Sequence, residues 1–220
     1  FHLVPISVKL SAFVFWFFAS LSVLLAFYPE LALYRFARLT LYILFALVVG
    51  VSLSRTRKLF EYICFAIGIS AILQSIVGFL QFLYGKSIGL WILGESVINI
   101  TTPNVARVTI EGVKYLRAYG TMSHANILAS FLILGLLSFF YLYIKYSDRN
   151  VKHAWIRIYS AVGVFITIFG LAFTFSRSGW IIALLVTLFV LAWGFWHKEY
   201  RRSAFGLFLI LLTTTYLLFT

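Results

Sequence analysis

Residues 158–196 read IYSAVGVFITIFGLAFTFSRSGWIIALLVTLFVLAWGFW, and in these 39 positions Arg177 is the one charged side chain. The arginine divides the stretch into two charge-free runs, 158–176 and 178–196, of 19 residues each. A membrane-crossing helix needs roughly 20 apolar residues, so the stretch reads as two spanning helices joined almost without a loop. In lipid only helices and closed barrels satisfy their own backbone. Neither run alternates with the period of two that barrel strands require, so the helical reading holds.

The same pattern extends outward. Further charge-free runs lie at 10–29, 39–54, 62–85, 118–144 and 203–220. The expected fold class is therefore all-α: a polytopic transmembrane helical bundle of about seven helices, one transmembrane domain over 1–220 with an outer loop at 86–117. The chain opens on Phe1 and stops at Thr220 inside an apolar run, so it reads as a fragment of a longer membrane protein. Composition agrees. Hydrophobic residues make up 63% of the 220 and charged residues 11%, with a mean hydropathy of +1.02. A soluble domain carries about a quarter charged residues, so both a soluble globular fold and a disordered chain are excluded.

The net charge of +12 would suggest nucleic acid in a soluble protein, but here topology explains it and no nucleic acid partner is expected. Basic residues crowd 55–61 (Arg55, Arg57, Lys58), 145–157 (Lys145, Arg149, Lys152, Arg157) and 197–202 (Lys198, Arg201, Arg202). If each run crosses once, these segments share a side, which the positive-inside rule makes cytoplasmic, together with the N-terminus. Segments 30–38 and 86–117 and the turn at Arg177 then face outward. In the outer loop, residues 87–94 are apolar enough to lie along the interface, and 98–110 read as irregular or extended.

Two outward stretches carry candidate chemistry. In RAYGTMSHANILASF, 117–131, Gly120 permits a turn, Thr121 or Ser123 is placed to cap the following helix, and His124 and Asn126 fall in its first turn. A helix N-terminus attracts phosphate, and Arg117 adds a forked cation beside it. The same residues also read as a capped helix with a snorkelling arginine and an interfacial histidine. In FTFSRSGW, 173–180, Ser176, Ser178 and Gly179 surround Arg177. A charge at membrane depth must be paired, hydrated or able to snorkel, so Arg177 is either an anchor at headgroup level or part of a lined pocket. A polar stripe on the third run (Ser70, Gln74, Gly78, Gln81, Gly85) suggests packing against other helices. The lone Cys64 excludes a disulfide framework. Paired carboxylates, a Walker loop, a dinucleotide fingerprint and zinc-ligand spacing are all missing from the pattern.

At these two stretches the sequence resembles the O-antigen ligase and O-antigen polymerase family of bacterial membrane glycosyltransferases. Arg117, Gly120, Thr121, His124, Asn126 and Ala129 match the family's first element, and Thr174, Phe175, Ser176, Arg177, Ser178 and Gly179 its second. Gln81 and Gly85 before a long outer segment also look like the family, whereas Met122 and Ala125 depart from its usual residues. The resemblance implies an inner-membrane enzyme of lipopolysaccharide or cell-surface polysaccharide biosynthesis. Such an enzyme moves a glycan from undecaprenyl pyrophosphate to a hydroxyl of a lipid, glycan or protein acceptor, without metal or cofactor. It further implies that Arg177, then Arg117, hold the pyrophosphate with Ser176, Ser178 and Asn126. The general base is expected in a large periplasmic loop after residue 220, with His124 a weaker candidate. A transporter or flippase for an anionic (glyco)lipid, and a structural membrane subunit whose arginines are anchors, are the competing readings.

Overall fold

The structure, a computed structural model, describes residues 5–146 and 153–219. Among these, α1 (Ile6–Leu24), α2 (Pro29–Arg55), α3 (Arg57–Tyr84), α4 (Ala125–Lys145), α5 (Ala154–Phe173), α6 (Arg177–Trp196) and α7 (Arg201–Phe219) form an all-α helical bundle. Six of them are long and apolar enough to cross a membrane, the character of a multi-pass membrane protein. Arg149 and Lys152 of the basic segment 145–157 lie outside the described residues.

Segment 30–38, expected as an outer loop, is helical. Pro29 starts α2 at its first position, where the missing N–H is no loss, and the helix runs on through Glu30, Arg35 and Arg38. A charge-free criterion ends a span at the first arginine, but a helix does not, because a long side chain carries its charge toward the headgroups.

The chain divides into two compact units, residues 1–62 and 63–220. In the first, α1 and α2 pair as a hairpin; the Trp16 indole donates to Thr40 Oγ1 at 2.9 Å and its ring lies 5.4 Å from Phe36. Neither helix has a buried residue in its span, whereas 61% of the α4 span is buried. The second unit is therefore built around α4.

Its helices alternate in direction. Phe65 near the start of α3 stacks on Trp155 at the start of α5, and the Tyr143 hydroxyl near the end of α4 packs on Gly206 in α7. At the opposite end, the Ala118 N–H just before α4 donates to Phe173 O at the end of α5. Arg177 begins α6 at that same end. Lys145, Arg157, Lys198, Arg201 and Arg202 thus gather at one end of the unit, and Arg117 and Arg177 at the other.

Between lipid-facing helices there is no hydrophobic gain from leaving lipid, so close contact of small residues takes over. Phe139 of α4 is fully buried, and its ring packs with Cε1 and Cζ against two glycines, Gly68 of α3 and Gly163 of α5. The Tyr159 ring meets it edge-on at 5.4 Å. Leu128, Leu132, Leu136, Val164 and Leu207 complete this core.

The outer segment, read as irregular or extended over 98–110, holds a β-hairpin. Strands β1 (Arg107–Ile110) and β2 (Val113–Leu116) pair antiparallel, Arg107 opposite Leu116 and Ile110 opposite Val113. The turn residues Glu111 and Gly112 have φ of 50° and 82°, the two left-handed positions of a tight hairpin turn.

A Cβ at Gly163 would overlap the fully buried Phe139 ring. Gly163→Ala should destabilise the protein by about 1–3 kcal/mol despite alanine's better helix propensity. Gly50→Ala, where an added Cβ meets nothing within 4 Å, should be neutral or stabilising. Thermal unfolding of both variants in the same detergent makes the comparison.

Candidate functional site

Residues 117–124 connect β2 to α4 without regular structure, at the end of the bundle where Arg177 lies. Buried backbone there needs partners, and two glutamines of α3 supply them. Gln81 is fully buried. Its Oε1 accepts from Tyr119 N (3.0 Å) and Gly120 N (2.8 Å), and its Nε2 donates to Gly120 O (2.8 Å). One turn-pair earlier, Gln74 Oε1 accepts from Thr121 N at 2.8 Å while Nε2 donates to Thr121 Oγ1 at 2.7 Å. Gly120 sits at φ 60°, and an added Cβ would overlap Gln74 Oε1. Its freedom from a side chain serves both the left-handed backbone and this close approach. Gly78 packs on Ala118. The polar stripe on α3 is thus a packing surface, although Ser70 on it is exposed.

The second proton of Gln81 Nε2 goes to Glu95 Oε1 at 2.8 Å. That oxygen also accepts from Ile88 N (2.7 Å), and Oε2 accepts from Leu90 N (2.5 Å). Glu95, 5% exposed, hence ties the outer segment to α3. Burial pushes its carboxyl up, but hydrogen bonds from Gln81, Ile88, Leu90 and Gly89 outweigh burial and hold it below its ordinary value.

Helix α4 begins differently from the sequence expectation. Its cap is His124, whose Nδ1 accepts from Asn126 N at 3.1 Å, and neither Thr121 nor Ser123 fills that role. Thr121 is drawn away because Gln74 engages both its backbone and its hydroxyl. With Nδ1 accepting, the neutral imidazole carries its proton on Nε2. The ring lies 5.8 Å from that of Tyr119.

Arg117 joins the two candidate stretches. Its Nε donates to Thr174 O at 2.6 Å and one Nη to Asn126 Oδ1 at 2.8 Å. Beside it, Ala118 N donates to Phe173 O at 2.9 Å. Burial pushes the guanidinium below its ordinary value, partly opposed by Tyr119, yet an arginine stays charged at any physiological pH.

Residues 174–176 turn the chain from α5 into α6. Phe175 adopts φ 47°, an uncommon conformation for a bulky side chain. It is held there by ring contacts with Phe82 (5.9 Å) and Trp180 (6.1 Å), and the Trp180 indole donates to Leu171 O at 3.1 Å. Ser176, 2% exposed, caps α6 by accepting from Gly179 N at 3.2 Å; its hydroxyl lies 3.4 Å from that of Ser178. Arg177 and Ser178, the first residues of α6, are exposed. Among the described residues Arg177 makes no hydrogen bond or ion pair. A Cβ at Gly179 would stand 2.8 Å from that of Ala129, so α4 and α6 touch near their starts.

The sequence-derived candidates thus come together at one end of the unit, in distinct positions. Arg177 and Ser178 are open; Arg117 and Asn126 are bonded to each other; Ser176 and His124 are helix caps. Two parallel helix N-termini and two cations make an anion-attracting surface. Among the described residues no three His, Cys, Asp or Glu side chains cluster as metal ligands. Comparison with protein-family models, with curated proteins and with solved structures finds no match to this chain.

Gln81→Leu leaves the Tyr119 and Gly120 N–H groups and the Gly120 carbonyl without their partner, at about 1–3 kcal/mol per buried group. Hydrogen exchange at Tyr119 and Gly120 should accelerate at least tenfold, with helix interiors less affected. The depressed Glu95 carboxyl contributes stability that is complete above about pH 4.5, its unfolded value, and is lost as pH falls through the lower folded value. Exchange at Ile88 and Leu90 should therefore rise on acidification below that pH, and Glu95→Gln should remove this part of the pH dependence.

Proposed function

We propose that the chain forms part of a membrane glycosyltransferase of the O-antigen ligase and polymerase type, seated in the bacterial inner membrane with its N-terminus cytoplasmic. The observation that carries this reading is the bridge from Arg117 to both Thr174 O and Asn126 Oδ1, which fastens the two motif stretches side by side. The two stretches lie 57 residues apart in sequence, and the bond from Arg117 Nε to Thr174 O joins them directly.

On this reading the diphosphate of an undecaprenyl-pyrophosphate-linked glycan lies against Arg177, Ser178 and the starts of α4 and α6. The acceptor hydroxyl oxygen attacks the anomeric carbon, the bond from that carbon to the pyrophosphate oxygen breaks, and undecaprenyl pyrophosphate leaves with the bonding electrons. The hydroxyl proton passes to a general base. Negative charge grows on the leaving oxygens, so a fixed cation there favours the transition state over the bound substrate. Arg117, already committed to Thr174 and Asn126, positions this surface and adds its charge. His124, whose Nδ1 caps α4, serves the same scaffold. A transporter would be expected to carry charged groups near mid-membrane. The charge-free runs of α3 to α6 and the placement of both arginines at one end favour the transferase.

The test is complementation with the full-length gene, with membrane levels checked by blot. Arg177→Ala should lower glycan transfer by about 100-fold or more at normal accumulation, with Arg177→Lys recovering only part. Arg117→Ala should also lower accumulation, because Thr174 O and Asn126 lose their partner. Full activity in Arg177→Ala would reduce Arg177 to an anchor and remove the reading.

A further inference from the structure

The α1–α2 hairpin carries a groove of its own. Beside the connecting turn a cavity of about 390 Å³ opens between the two helices. Ala19, Val23, Leu31, Ala32 and Leu39 give it small and apolar walls, and Arg35 lines it as its one cation.

The two arginines of this helix are in different states. The Arg38 guanidinium donates to the Tyr42 hydroxyl at 2.9 Å and lies over the Tyr34 and Tyr42 rings at 5.6 and 5.9 Å. Arg38 does not line the cavity. Arg35 is exposed and, among the described residues, has no hydrogen bond, ion pair or ring contact. Glu30, in the first turn of α2, is placed to favour the helix N-terminus and makes no ion pair with Arg35.

Arg35 lies six residues after Pro29, about 9 Å along the helix from its start. At that depth a long side chain reaches the lipid headgroups, and an arginine in a spanning helix requires an anion or water. The cavity offers apolar length next to a forked cation, the complement of a phosphate joined to a hydrocarbon chain. We propose that the groove binds an anionic phospholipid of the surrounding bilayer, its phosphate on Arg35 and the start of its acyl chain along Val23, Leu31 and Leu39.

The experiment uses the full chain in detergent, titrated with phosphatidylglycerol or with phosphatidylcholine, bound lipid being counted by native mass spectrometry. Saturable binding of one phosphatidylglycerol, preferred over phosphatidylcholine, is expected. Arg35→Gln should weaken it about tenfold, the worth of one charge-assisted contact, while Arg35→Lys retains a preference. Arg38→Gln, which removes an equal charge outside the groove, should leave binding unchanged. Equal weakening in Arg35→Gln and Arg38→Gln, or unaltered binding in Arg35→Gln, would overturn the proposal. So would displacement by inorganic phosphate alone, which would make the groove a simple phosphate site. Displacement by undecaprenyl phosphate at equimolar amounts would instead give the groove to the substrate lipid and would equally overturn the bilayer assignment.

Discussion

An irregular backbone at the edge of a membrane bundle has to find every hydrogen-bond partner within the protein, and residues 117–124 are held to that requirement. Gln81 meets most of it alone, pairing with both sides of the Tyr119–Gly120 segment while its remaining proton reaches Glu95. Gln74 meets the rest at Thr121. Because these contacts keep the segment from continuing α4 backward, the chain can deliver Arg117 sideways onto the α5–α6 turn. The hairpin, the loop and the start of α4 all take their places from this one satisfied turn.

The same arrangement separates work within the candidate site. Arg117 is spent largely on structure, spanning a carbonyl and an amide from two different elements. Arg177 is left uncommitted at the start of α6, supported from beneath by Ser176, Phe175 and Trp180 rather than by a countercharge. A left-handed phenylalanine between two helices is tolerated because its ring is locked among others, so the short turn can present its arginine outward.

Much of the architecture was legible in the chain because charge is so sparse that each cluster of basic residues marks a helix end. The extent of α2 was not, since Arg35 and Arg38 lie inside a helix and only Pro29 signals where it starts. The meeting of the two arginine stretches was suggested by topology, but the bonds that hold them together involve a backbone carbonyl, Thr174 O, which no side-chain pattern reveals. Glu95 looked like an ordinary loop acid, because its partner is a helix residue 14 positions away and backbone amides. The β-hairpin was missed since Glu111 occupies a left-handed position where asparagine or aspartate is the usual cue.

The hairpin ends at Leu116, and Arg117 follows with no intervening linker. Leu116 is buried, and Arg117 directly after it reaches Thr174 O. A residue inserted between Leu116 and Arg117 would swing the guanidinium away from Thr174. The turn at 99–104 lies upstream of the ladder and is tied to it by Arg107, which donates to Thr102 O, and to the end of α3 by the bond from Ile100 N to Gly85 O. The register that pairs Arg107 with Leu116 thus sets where the arginine leaves the ladder, which makes the hairpin a positioning device for Arg117.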